Sequence, residues 1–123
     1  MTLLDTSAII DYLVDGELAQ RVEDLLGSRS AALSAISVFE LLAGVKSEKH
    51  LRERRELTGR MHVVPVTASI ADLAGELFTR MRASGYTVDN EDLIVAATAR
   101  EKSVPVLTAN VRHFEHVPGI TLA

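Results

Sequence analysis

Apolar positions along the chain follow two rhythms. Short apolar runs near 2–5, 32–36, 62–66, 104–108 and, more weakly, 120–122 have the length of buried strands. Between them lie longer segments, about 7–14, 17–27, 38–57, 69–84 and 91–102, in which apolar residues recur every three or four positions, as one face of a helix requires. The stretch SIADLAGELFTRMRASG is typical: Ile70, Leu73, Ala74, Leu77, Phe78 and Met81 share a face, Asp72 and Glu76 fall opposite, and Gly85 supplies a stop. No Pro-, Gly- or Ser-rich linker divides the pattern, so residues 1–123 are expected to form one domain. Strands alternating with helices predict an α/β fold, a parallel sheet of about five strands covered by helices on both faces.

In such a sheet, ligands bind beyond the carboxyl ends of the strands, where strand order reverses. Three carboxylates fall at that edge. Asp5 ends the first strand, Glu40 lies in the first turn of the helix after the second, and Asp92 opens the helix leading to the fourth. Two of them have structural explanations. Ser37-Val38-Phe39-Glu40 matches a capping box, and Asp89-Asn90-Glu91-Asp92 offers caps and acids favoured at a helix N-terminus. Asp5 has none, because Thr6 or Ser7 can cap the helix that follows it. Clustered carboxylates repel one another unless a cation neutralises them. Hard oxygen donors of this kind suit Mg²⁺ or Mn²⁺, which can activate water for attack on a phosphodiester.

Composition narrows the chemistry further. With no cysteine, neither disulfides nor thiolate metal sites can form, and any metal must be held by oxygen or imidazole. His113 and His116 lack the further ligands of a zinc site. The acids at positions 5, 11 and 15 do not suit a signal peptide, and the longest apolar run, Leu93 to Ala97, cannot span a bilayer; a soluble, cytoplasmic protein is expected. A net charge of −4 argues against coating nucleic acid by bulk electrostatics. Locally, however, Lys46, Lys49, Arg52, Arg54, Arg55 and Arg60 make a positive segment, which reads either as a solvated helix face or as a track for RNA phosphates.

Together, LLDTSAII at 3–10, SAISVFELLAG at 34–44, DLIVAATA at 92–99 and LTANVRHF at 107–114 resemble the PIN-domain family, and in size and layout its VapC-type toxin ribonucleases. The resemblance implies a PIN-like domain, Mg²⁺- or Mn²⁺-dependent cleavage of RNA, and catalytic acids at Asp5, Glu40 and Asp92, with Asp5 and Asp92 on the metal. It also implies a VapB-type antitoxin partner, and a homodimer is expected on grounds of symmetry. Where many members carry a fourth acid, this chain has Asn110, whose amide brings no charge. Thr6, Ser7, Thr108 and Asn110 are the expected supporting residues; capping and turn formation are their alternative roles. Two other functions stay open. One is a catalytically weak binding or regulatory module, acting through an antitoxin or RNA. The other is a phosphatase with Asp5 as nucleophile, which the Ser at position 7, where an Asp-x-Asp motif needs its second acid, disfavours.

Overall fold

The computed structural model describes residues 1–123. Its four strands are β1 (Thr2–Leu4), β2 (Ala31–Ser34), β3 (His62–Val64) and β4 (Val106–Leu107), all parallel in the order β3-β2-β1-β4. Six helices connect and cover them: α1 (Thr6–Leu13), α2 (Ala19–Gly27), α3 (Ala35–Leu42), α4 (Glu48–Gly59), α5 (Ala68–Ala83) and α6 (Asn90–Lys102). No helix is long and apolar enough to cross a membrane.

Strand alternation sorts the core into two halves. Leu3, Ala32, Val64 and Val106 point to one face of the sheet, where they meet Ile70, Leu77 and Met81 of α5 and Val95 and Ala96 of α6. Their neighbours Leu4, Leu33 and Leu107 point to the other, against Ile9 of α1, Val22 of α2, Leu41 of α3 and Leu57 of α4. A period of two therefore commits β1, β2 and β4 to both halves of the core, while β3 gives it only Val64. Helix α6 is buried almost all round, from Leu93 through Ala99 apart from Ile94, which explains its lack of a polar face.

Three expectations are corrected. The predicted fifth strand is reduced to a single bridge between Val106 and Leu122, because β4 offers only two residues to pair with and Pro105, just before it, has no N–H to donate. The predicted helix over 38–57 is two helices: Ala43 leaves the helical region at ψ 129°, and Gly44 takes φ +76°, which glycine alone adopts without strain. Ser47 then caps α4 by accepting from the His50 amide. Finally, Phe78 of α5 turns outward, 39% exposed, with the Arg82 guanidinium 5.1 Å from its ring centre.

Strand order decides where a site forms. The chain runs outward from β1 through β2 to β3 and then returns to place β4 on the opposite side of β1. The order thus reverses between β1 and β4, and the crevice lies above the carboxyl ends of those two strands. Asp5 follows β1 there, and Thr108 follows β4.

Candidate active site

Asp5 occupies the N-cap position of α1, yet its side chain caps nothing. Both its donors are hydroxyls acting on one oxygen: Ser7 Oγ donates to Oδ2 at 2.7 Å and Thr108 Oγ1 at 3.0 Å. Backbone amides orient those hydroxyls in turn, since Ala109 N–H donates to Ser7 Oγ at 3.0 Å and Asn110 N–H to Thr108 Oγ1 at 2.9 Å. A hydroxyl has one proton, and here each is spent on Asp5. The 3.0 Å contact between the two hydroxyl oxygens therefore carries none. The result is a buried carboxylate, 4% exposed, tied through two relays to the loop after β4, with Oδ1 uncommitted.

Ser7 and Thr6 are thus not the caps of α1 that their residue types suggested. Thr6 Oγ1 instead donates to Glu40 Oε1 at 2.9 Å, linking α1 to α3. The capping box at Glu40 also does not form. Helix α3 begins at Ala35, capped by Ser34, whose Oγ accepts from the Ile36 amide at 3.2 Å. That earlier start places Ser37 inside the helix, with a buried hydroxyl lacking any partner, and moves Glu40 from the first turn to the second. Glu40 is left to the crevice. Its carboxyl is pushed up from its ordinary range, first by burial and then by Asp5, Glu91 and Asp89, against the opposing hydrogen bond from Thr6.

Asp92 stands in the first turn of α6, one turn after the N-cap residue Asp89, whose side chain also makes no cap. Burial and the nearby Asp5 raise its carboxyl to about 6, and Asp89 adds to the repulsion. His113 works against that shift, with Nδ1 3.0 Å from Asp92 Oδ2. Histidine here touches an acid rather than completing a metal set of its own. His116 lies farther out, stacked on Tyr86.

Asp5, Thr6, Ser7, Glu40, Asp92 and Asn110 all line one open pocket, joined by Asp11, Asp89 and His113. Thr108 supports it from beneath through Asp5. The sequence reading missed Asp89 and His113 as pocket residues. Asp89 was masked by its position as a helix cap, and His113 by a separation of 21 residues from its partner. The basic segment is not brought to this pocket. Arg54 donates to the Leu41 carbonyl at 2.7 Å, tying α4 to α3, and Arg60 reaches Glu23 at 3.8 Å, while Arg52 and Arg55 share their outer surface with Glu48 and Glu56.

The donor set fits a hard divalent cation. Every acid offers oxygen, and the burial and the repulsion from Asp5 that hold a proton on Asp92 are what such an ion offsets. No three of the acids and histidines stand close enough to form a ready-made cage. Mg²⁺ needs none, since it commonly takes one or two carboxylates and keeps its waters.

Comparisons with known proteins converge on one family. Residues 2–120 match the PIN domain. Ribonuclease VapC19 of Mycobacterium tuberculosis is 37% identical over 123 residues, covering 98% of this chain and 97% of the relative. The tRNA(fMet)-specific endonuclease VapC of Salmonella typhimurium is 27% identical over 126 residues, covering 98% and 94%. Among solved structures, DNA-bound VapBC from Salmonella typhimurium superposes with a TM-score of 0.87 at 26% identity, over 99% of this chain and 96% of that one.

Proposed function

The chain belongs to the PIN-domain family, and from that premise we propose that it is a divalent-metal-dependent endoribonuclease, the toxin of a VapBC-type toxin–antitoxin pair, with residues 1–123 acting as one ribonuclease domain. The observation that carries the reading is the meeting of Asp5, Glu40 and Asp92, from three separate parts of the chain, in one open pocket at the strand switch point. Asp5 and Asp92 would hold Mg²⁺ or Mn²⁺. Bound there, the ion supplies the charge that polarises the scissile phosphate and makes water a better nucleophile.

The remaining chemistry belongs to the chain. Ser7 and Thr108 fix the Asp5 carboxylate by occupying Oδ2 and leaving Oδ1 for coordination. Glu40, with its raised proton affinity and Thr6 setting its orientation, takes the proton of the attacking water. Asn110, on the pocket wall, offers an amide donor to a phosphate oxygen without adding to the repulsion among the acids. Thr108, by contrast, spends its only proton on Asp5 and so supports the metal ligand rather than the substrate.

The pocket rim suits a protein partner. Ile10 and Val14 line the pocket and are exposed, as are Leu13, next to Val14, and Phe39, next to the pocket residue Glu40, with Val14 at 71% and Phe39 at 64%. A VapB-type antitoxin covering this rim would bury apolar surface and block the acids together.

The test is cleavage of RNA by the purified protein with Mg²⁺ or Mn²⁺ and with chelator. Cleavage should require the ion, and Asp5→Asn should lower it by roughly 100-fold or more, since even the outer partners of metal ligands cost about 10- to 100-fold when removed. Undiminished cleavage by Asp5→Asn would refute the assignment.

A further inference from the structure

A second cavity of about 140 Å³ adjoins the first, sharing Asp89, Asp92 and His113 with it but not Asp5. Tyr86 and His116 stand on its wall with ring centres 4.1 Å apart and planes within 15° of parallel. This pair contributes little to the core: Tyr86 is 42% exposed, its hydroxyl meets no protein partner, and His116 adds only a 3.5 Å pairing with exposed Glu115. Met81 and Val88 supply apolar wall, and Arg112 supplies the one arginine.

We propose that this cavity is a nucleobase subsite, in which an unpaired base of the nucleotide adjoining the scissile phosphate stacks against the Tyr86–His116 pair, with Arg112 on its backbone; this rests on the ribonuclease reading above. Two physical points select a base over a phosphate. The carboxylates of Asp89 and Asp92 repel an anion but accept hydrogen bonds from the N–H groups on a base edge. A stacked aromatic pair, in a chain with no tryptophan and few other rings, offers what any base can use, a π-face. Because the cavity adjoins Asp92, a base seated there places its own phosphate at the acids. A base inside a duplex must first be unstacked to enter, so the subsite selects RNA that is single-stranded at the cut.

The test uses a single-stranded oligoribonucleotide that the protein cleaves with Mn²⁺, and copies carrying an abasic ribonucleotide on either side of the cleaved bond. Binding is read by fluorescence anisotropy in chelator, and cleavage as kcat/KM with the ion. Tyr86→Ala should weaken binding of the intact oligonucleotide about tenfold, the scale of one base–aromatic stack. Against the copy lacking the seated base, Tyr86→Ala should bind as the wild type does, while Tyr86→Phe, which keeps the ring, should match the wild type on every substrate. Equal losses on intact and abasic RNA, or no loss on either, would overturn the subsite while leaving the nuclease intact. A wild-type protein that cleaves no RNA with Mn²⁺ overturns the ribonuclease reading and the subsite together.

Discussion

Asp5 and Asp92 face the same pocket, but the chain holds them in different ways. Asp5 is clamped: two hydroxyls donate to one of its oxygens, and each hydroxyl is itself held by an amide of the loop after β4. Asp92 has a single side-chain partner, His113, and carries a proton up to about pH 6 because burial and Asp5 oppose its charge. Clamping Asp5 takes the ends of β1 and β4 together, so its geometry is set by the sheet. Asp92 rides on α6, and its charge state is set by its neighbours. One acid thus supplies position and the other supplies the electrostatic demand that a cation satisfies.

The contrast is most directly broken at Thr108. In Thr108→Val, Asp5 keeps only Ser7 as donor, and the Asn110 amide loses its acceptor, with little change in side-chain volume. Metal-dependent cleavage should fall about 10- to 100-fold, as for loss of a metal ligand's outer partner. Stability should fall by about 1–3 kcal/mol in urea unfolding, the cost of leaving a buried group unsatisfied. Activity equal to wild type would mean that Asp5 needs no clamp.

Asp92 is probed through proton linkage in the metal-free protein. Its folded carboxyl titrates at about 6 against an ordinary 3.8, so between those values the folded state binds more proton than the unfolded. The stability this adds is complete below about pH 3.8 and is lost as pH rises through about 6. Asp92→Asn removes the penalty of a charged Asp92. The variant should be more stable than wild type above pH 6, by an amount on the order of 1 kcal/mol after allowance for solvent screening, and the gap should close near pH 4. A gap that stays constant with pH would place the proton elsewhere. Adding Mn²⁺ at pH 7 should stabilise wild type and not the variant.

Periodicity made most of the fold legible, because each element buries a face whose spacing is written locally. The parallel sheet, the helices on both sides and the edge bearing the acids all follow from it. What failed depended on backbone torsion or on distant partners. The break at Gly44 is a matter of φ, and neither flanking apolar period shows it. Glu40 looked like half of a capping box because Ser37 stands three residues before it, but the helix starts earlier, at Ala35, and that start is set by Ser34. Thr6 and Ser7 read as caps, but Thr6 donates to Glu40, 34 residues away, and Ser7 donates to Asp5 while accepting from the Ala109 amide, 102 residues away. In sequence His113 has only the neighbourhood of an incomplete metal site, and only the fold brings it to Asp92.

Asn110 tests whether the two-acid arrangement is sufficient. It lines the same pocket as the acids, and its backbone N–H holds Thr108, so a change confined to the side chain leaves the Asp5 clamp in place. Asn110→Asp keeps the size and adds a charge. A further carboxylate raises the repulsion in the metal-free pocket and the attraction for a cation, adding to the charge repulsion that joins burial in lifting Asp92. Calorimetric titration should therefore show Mn²⁺ bound a few-fold more tightly than by wild type, a smaller gain than loss of Thr108 is a cost, because the new charge sits in an open, solvated pocket where attraction is screened. If wild type binds no Mn²⁺ and Asn110→Asp restores both binding and cleavage, then the amide at 110 has made this chain a binding module, and Asp5 and Asp92 do not hold the ion by themselves. Binding by wild type at one site, tightened by the added acid, means that the clamped and the titrating carboxylate together suffice.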